Sequence, residues 1–266
     1  MKINLANIKK AQKFLNKREC VAIPTETVYG LAGNAYSDIS CKNIYKLKKR
    51  PKNNPLIVHY YSLKDLSVDC DFNKTFLKLY KKFCPGPITF ILKLKDSSKI
   101  SKIATNKKSS LAVRFPKHPT TRALLKMLNF PLAAPSANIS SRVSAVTSSN
   151  VKEDFGKKIS YILEGGQSSI GVESTIVDTR SKPKILRFGG IDISTIKKTL
   201  NRKIKINNNP SKITTPGQMK IHYSPGIPIR LNVKRIKDNE AYLLINKKRK
   251  IKKNYFFLSK KGDLNE

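Results

Sequence analysis

The sequence predicts an α/β layer architecture with a partly antiparallel sheet. Three observations predict it. Short apolar strands alternate with helical segments through the first 200 residues. Proline and glycine punctuate the switches, as at Pro51 and in the CPGP turn of 84–87. Candidate strands at 161–165, 174–179 and 184–189 follow one another too closely for helical crossovers, so part of the sheet is antiparallel.

The elements follow in order. IKKAQKFLNKRE (8–19) sets Ile8, Ala11, Phe14 and Leu15 on one helical face, and VAIPTE (21–26) is a short buried strand. DISCKNIYKLKK (38–49) is helical with Asp38 as its N-cap and ends before Pro51; PLIVHYY (55–61) is the next strand. FNKTFLKLYKKF (72–83) is a helix stopped by the CPGP turn, and ITFILKL (88–94) is a strand. SLAVRFP (110–116) is a strand, HPTTRALLKML (118–128) a helix opening near a proline, and PLAAP (131–135) a buried strand. YILEG, STIVDT and KILRFG are further strands, and DISTIKKTL (192–200) closes the series as a helix. The polar stretch NRKIKINNNPSKITTPGQ (201–218) reads as a linker. Beyond it, IPIRLNV (227–233), AYLLIN (241–246) and KNYFFLS (253–259) predict three short strands. A tail of about 40 residues is marginal for a core of its own.

Composition excludes several classes. No apolar run approaches the roughly 20 residues that cross a bilayer, and the N-terminus lacks a signal peptide's continuous apolar stretch. The four cysteines (Cys20, Cys41, Cys70, Cys84) form no CxxC pair and read as reduced thiols of a cytoplasmic protein, with no zinc site. The formal charge of +37 rests on 54 basic residues, of which only 11 are Arg. Basic nucleic-acid surfaces use more Arg than that, so lysine spread over solvated faces accounts for most of the charge. The field still attracts anions, nucleotides and RNA.

There is no P-loop, GxGxxG, HExxH or GxSxG motif. Polar residues instead gather at strand ends: Thr25 to Thr27, KKRPKNNP (48–55) leading to His59, Ser110 to Arg114, Ser136 to Asn138, Glu173 to Thr175, and Arg187. Any one of these could simply cap a helix. Six together point to a ligand crevice at strand ends, where hydroxyls read a small polar ligand and Lys and Arg clamp phosphates.

Seven stretches carry a resemblance, in order: IPTETVYGLAGNA, KKRPKNNPLIVH, CPGPITFIL, AVRFPKHP, PLAAPSANIS, GVESTIVD and ILRFGG. Together they resemble the threonylcarbamoyl-AMP synthase, or YrdC-like, family over about residues 8–200, and PGQMKIHYSP (216–225) resembles the linker of its two-domain members. The resemblance implies a twisted, mixed open sheet flanked by helices over 1–200. A linker (201–225) would fold over the active site, and 226–266 would be a shortened, β-rich second domain. It further implies that ATP, L-threonine and bicarbonate become threonylcarbamoyl-AMP and pyrophosphate. That product would feed a separate tRNA-modifying complex that places threonylcarbamoyl beside the anticodon of tRNAs reading ANN codons.

By the same resemblance, Lys48 and Arg50 would be catalytic. Arg50, Asn54, Ser110, Ser136, Ser144, Arg187 and Tyr223 would bind ATP, while Thr27, His59, Arg114, Ala134 and Ser174 would bind L-threonine. Tyr29 and the glycines after it would form a turn close to the ligand, and Asn138 would brace its loop. The family's usual Ser-Gly after SAN stands here as Ser140-Ser141, and its usual Pro-Ser as Val143-Ser144. Mg2+ would be held mainly by the ATP phosphates, with no protein metal ligands. The rival is a non-catalytic double-stranded RNA or ribosome-associated protein using its basic surface. A relative using carbamoyl phosphate is weaker, because this chain lacks the zinc-finger and acylphosphatase-like segments such proteins carry.

Overall fold

The first helix, α1 (Leu5–Asn16), opens where the Asn4 side chain accepts the N–H of Asn7, and it buries Ile8, Ala11 and Leu15. Those three belong to the face that the spacing predicts. The computed structural model describes residues 3–207, 227–233, 235, 237–246 and 253–260. The chain divides into two compact units, Met1–Pro225 and Gly226–Glu266.

In the first unit α1 is followed by β1 (Val21–Ile23), β2 (Gly30–Asn34), α2 (Asp38–Lys48), β3 (Ile57–His59), α3 (Leu63–Asp69), β4 (Cys70–Asp71), α4 (Lys74–Phe83) and β5 (Ile88–Leu94). Next come α5 (Lys102–Thr105), β6 (Ser110–Arg114), α6 (Pro119–Met127), β7 (Leu132–Ala133), α7 (Ser148–Phe155), β8 (Tyr161–Ile162), β9 (Thr175–Asp178), β10 (Lys184–Arg187), α8 (Ile193–Leu200) and β11 (Lys205–Ile206). The strands form one mixed sheet in the order β11-β10-β9-β5-β6-β3-β7-β2-β1-β8, with β4 beside β5. The expected antiparallel portion includes β9 and β10, which pair Asp178 with Lys184.

Three apolar clusters follow from strand alternation. One face of the sheet sends Val58, Phe90, Val113 and Val177 into a core with Ile44 of α2, Phe76 of α4 and Ile196 of α8. On the opposite face, α1 and α6 cover the β1, β2 and β7 end through Ile8, Leu15 and Leu124. The third cluster contains strand residues only: Ile57, Ile91, Ala112, Ile176 and Leu186. It occupies the face shared with the polar strand ends.

Several boundaries differ from the expectation. Ser37, not Asp38, caps α2: its extended backbone lets the hydroxyl accept the N–H of Ser40, and Asp38 is the first helical residue. There it favours the helix dipole instead. The GLAGN stretch is not a turn but β2, antiparallel to β1 with Ile23 opposite Gly30. Gly33 suits that strand because a Cβ there would stand 3.2 Å from Ser40 and Ile44 of α2. Lys205 and Ile206 pair with β10, so the sheet extends into the stretch expected to be linker. Helix α3 carries a signal that predicts it, the Ser62–Asp65 capping box.

The second unit holds β12 (Tyr242–Asn246) and β13 (Tyr255–Ser259), paired in parallel. The predicted strand at 227–233 is absent. No helix among the described residues is long and apolar enough to cross a membrane.

Candidate active site

The parallel pairing of β3 with β6 puts His59 opposite Arg114, and the antiparallel pairing of β5 with β6 puts Thr89 opposite Arg114. His59, Arg114 and Thr89 therefore stand in one row across three strands. His59 and Arg114 border an open cleft of about 450 Å³ also lined by Thr25, Tyr29, Arg50, Ala134, Ser136, Glu173, Ser174 and Arg187, among others. Of the predicted residues, His59, Arg114, Ala134, Ser174, Arg50, Ser136 and Arg187 line this cleft together.

The loop after β1 is knotted by its own hydroxyls. Thr25 Oγ1 donates to the Val28 carbonyl at 2.6 Å and accepts the N–H of Thr27. The Thr27 hydroxyl lies 2.9 Å from that of Thr25 and is fully buried. Thus Thr25 lines the cleft and Thr27 braces it from behind. Glu26 receives an Arg114 Nη2 hydrogen bond at 2.7 Å and the Lys117 N–H at 2.9 Å. Burial raises the pKa of its carboxyl, but the Arg114 charge and these hydrogen bonds outweigh that, and the net pKa lies below the usual value. The Tyr29 hydroxyl donates to the Gly166 carbonyl at 2.8 Å, tying the same loop to the segment after β8.

Lys48 does not line the cleft. Its Nζ donates to the carbonyls of Ser136 and Asn138, and its own carbonyl accepts the Ser140 N–H at 2.9 Å. The end of α2 therefore clamps the 136–140 loop. Burial and the Arg50 charge pull the Lys48 amine down to about 7. Arg50 is held by its own loop: Nη2 donates to Asn54 Oδ1 at 2.7 Å and to the Pro55 carbonyl at 2.9 Å, and Nε to the Asn54 carbonyl at 3.0 Å. Asn54, predicted to contact ATP, thus orients Arg50. Asn138 braces its loop through bonds to the carbonyls of Ile139 and Arg142.

On the far wall, Arg187 donates to the Ser174 carbonyl from Nε at 3.0 Å and from Nη2 at 2.9 Å, and to Ser174 Oγ at 3.1 Å. It also forms an ion pair with Glu173, whose Oε1 accepts the Ser144 hydroxyl at 3.1 Å. Gly189 makes this packing possible, since a Cβ there would come within 2.5 Å of the backbone of residues 173–175. Ser110 lies at the other end of β6, about 13 Å from Arg114 by strand rise. With Ile91, Leu186, Lys107 and Arg180 it lines a second cleft of about 670 Å³ on that face. Tyr223 and most of the 201–225 linker lie outside the described residues.

Two cleft-lining residues each carry a buried polar atom with no partner among the described residues: His59 Nδ1 and Arg114 Nε. His59 is held well below its usual 6.5 by burial and by Arg114, so its ring is neutral at pH 7. Among the described residues no three His, Cys, Asp or Glu cluster to hold a metal.

Residues 13–189 match the family model for Sua5, YciO and YrdC, whose description reads "Telomere recombination". The chain belongs to this family. It is 37% identical over 229 residues to the threonylcarbamoyl-AMP synthase of Pyrococcus abyssi, covering 84% of this chain and 66% of that protein. It is 36% identical over 233 residues to the enzyme of the same name from Bacillus subtilis, covering 86% of this chain and 67% of that one. The chain thus spans about two thirds of the length of the curated relatives it matches. The crystal structure of P. abyssi Sua5 complexed with L-threonine superposes with a TM-score of 0.87 and 32% identity, over 97% of this chain and 82% of that one.

Glu26, Thr89, Glu173 and Gly189 escape the sequence assignment of roles. Each lies inside a quoted motif, but nothing in one sequence says that its partner is another site residue.

Proposed function

We propose that the chain is an L-threonylcarbamoyladenylate synthase, converting ATP, L-threonine and bicarbonate into threonylcarbamoyl-AMP and pyrophosphate. The observation that carries this is the pair of unpartnered buried atoms, His59 Nδ1 and Arg114 Nε, on two cleft-lining residues that pair across β3 and β6. Buried polar atoms are almost always hydrogen-bonded, so these two call for a polar ligand. A zwitterionic amino acid answers both: its carboxylate takes the Arg114 donor, and its amine or hydroxyl meets the neutral imidazole. The L-threonine bound by the P. abyssi relative supports the choice.

The nucleotide fits the rest of the face. Arg50 and Arg187 form a cationic end for the triphosphate, and Ile57, Ala112, Ile91 and Leu186 form an apolar strip running toward Ser110. The threonine amine attacks bicarbonate carbon and, with loss of water, becomes a carbamate. A carbamate oxygen then attacks the α-phosphorus of ATP in line, and pyrophosphate leaves with the bonding electron pair. No protein nucleophile is required. Arg114 and Ser174 hold the amino acid, Arg50 and Arg187 neutralise charge spreading over the phosphates, and the 136–140 loop closes one side. Mg2+ would travel on the phosphates, because Glu173, the one carboxylate among the described residues that line the cleft, is engaged by Arg187 and Ser144. The product would serve a separate tRNA-modifying complex in the cytoplasm.

Titrating L-threonine into wild type and Arg114→Ala by calorimetry tests the pocket. The variant is expected to bind on the order of tenfold to a hundredfold more weakly. Equal affinity would remove the amino acid from this cleft.

A further inference from the structure

We propose that Thr89 is a positioning residue that commits the Ser174 hydroxyl to donating a hydrogen bond to an oxygen of the bound amino acid. The inference rests on the synthase proposal for this cleft. Thr89 sits on β5 in the row of His59 and Arg114, is fully buried, and places its Oγ1 2.7 Å from Ser174 Oγ. That is its one side-chain hydrogen bond among the described residues.

The direction of this bond follows from counting donors and acceptors. A hydroxyl has one proton to give and two lone pairs to fill. If Ser174 donated to Thr89, the Thr89 proton would be buried with no acceptor, which is costly. Thr89 must therefore donate to Ser174. Arg187 Nη2 donates to the same Oγ at 3.1 Å, so both lone pairs of Ser174 are filled. Its remaining proton has no acceptor among the described residues, and Ser174 lines the cleft. Ser174 is thereby a dedicated donor, and it selects an oxygen, carboxylate or carbamate, over an amine. Without the Thr89 hydroxyl, Ser174 is free to rotate and to point its lone pair at the ligand.

The test measures dissociation constants of L-threonine and of ATP by calorimetry for wild type, Thr89→Val, Thr89→Ser and Ser174→Ala. Valine keeps the shape and suits a buried strand. Thr89→Val is expected to weaken L-threonine roughly tenfold with ATP affinity unchanged, and Thr89→Ser to restore binding to within about twofold. If the valine variant does not fold, Thr89→Ala reads the same split. Wild-type threonine affinity in Thr89→Val beside weakened binding in Ser174→Ala would overturn the relay and leave the pocket standing. Equal loss in Thr89→Val and Thr89→Ser would overturn it as well, by tracing the effect to packing. Undiminished binding in both Thr89→Val and Ser174→Ala would overturn the relay and the threonine pocket together.

Discussion

The Glu26 carboxylate meets the Arg114 guanidinium at 2.7 Å, with side chains only 8% and 5% exposed. A carboxylate from the loop after β1 thus fixes the arginine at the end of β6 before any ligand arrives. Glu26→Gln leaves that guanidinium buried without a counter-charge. Breaking one side of a buried pair costs about 3–5 kcal/mol, and urea unfolding at pH 7 should show a loss of that order. The folded pKa of Glu26 lies below its ordinary value, so its contribution is complete above the unfolded pKa and is lost as pH falls through the folded one. The gap between wild type and variant should accordingly narrow on acidification. A constant gap down to pH 3 would contradict the pairing.

His59 predicts a separate pH effect. Its folded pKa is far below 6.5, so under mild acid the unfolded chain binds a proton that the folded chain does not. Stability is therefore full above pH 6.5 and declines as pH falls toward the folded pKa. Between pH 6.5 and 5.5 wild type should lose on the order of 1 kcal/mol relative to His59→Gln. Parallel stability profiles for the two proteins would show that the ring titrates normally.

Lys48 acts through the loop it clamps. Lys48→Met removes the bonds to the Ser136 and Asn138 carbonyls, and amide hydrogen exchange over 136–140 should accelerate. A loop displaced by about 1 Å from the reacting atoms should lower kcat/KM roughly a hundredfold. The clamp also has a pH signature. With an amine at about 7 in the fold, wild type gains stability between pH 7 and 10.5, and the variant lacks that slope. Unchanged exchange with lost activity would instead make Lys48 a direct participant.

Ser141 adopts φ +76°. An L side chain is strained in that region. Ser141→Gly should relieve it and raise stability by about 1 kcal/mol, less the extra freedom glycine gives the unfolded chain. A destabilised variant would mean that the Ser141 side chain contributes more than its backbone costs.

The parts legible in the sequence were those carried by period and punctuation. Ile8, Ala11 and Leu15 announced α1, and the strand at 88–94 was placed to the residue. Helix α7 and strand β2 were harder, because neither GLAGN nor SSNVKEDF shows a clear apolar period. The grouping of His59, Arg114, Ser136, Ser174 and Arg187 around one cleft was legible as a set of strand ends, since a sheet gathers its strand ends in space. Its internal wiring was not legible. That Asn54 serves Arg50, that Lys48 serves a loop, and that Glu173 and Ser174 hold Arg187 depend on contacts between residues far apart in sequence or on side-chain direction. Motif spacing encodes neither.

The most direct measurement is pyrophosphate release from ATP and Mg2+, with and without L-threonine and bicarbonate. The account predicts release that needs both, and its loss in a folded Arg50→Ala variant. Release without either co-substrate would mark a general ATPase and contradict the threonine pocket. No release under any condition from folded wild-type protein would contradict the synthase itself and favour an RNA-binding role for the basic surface.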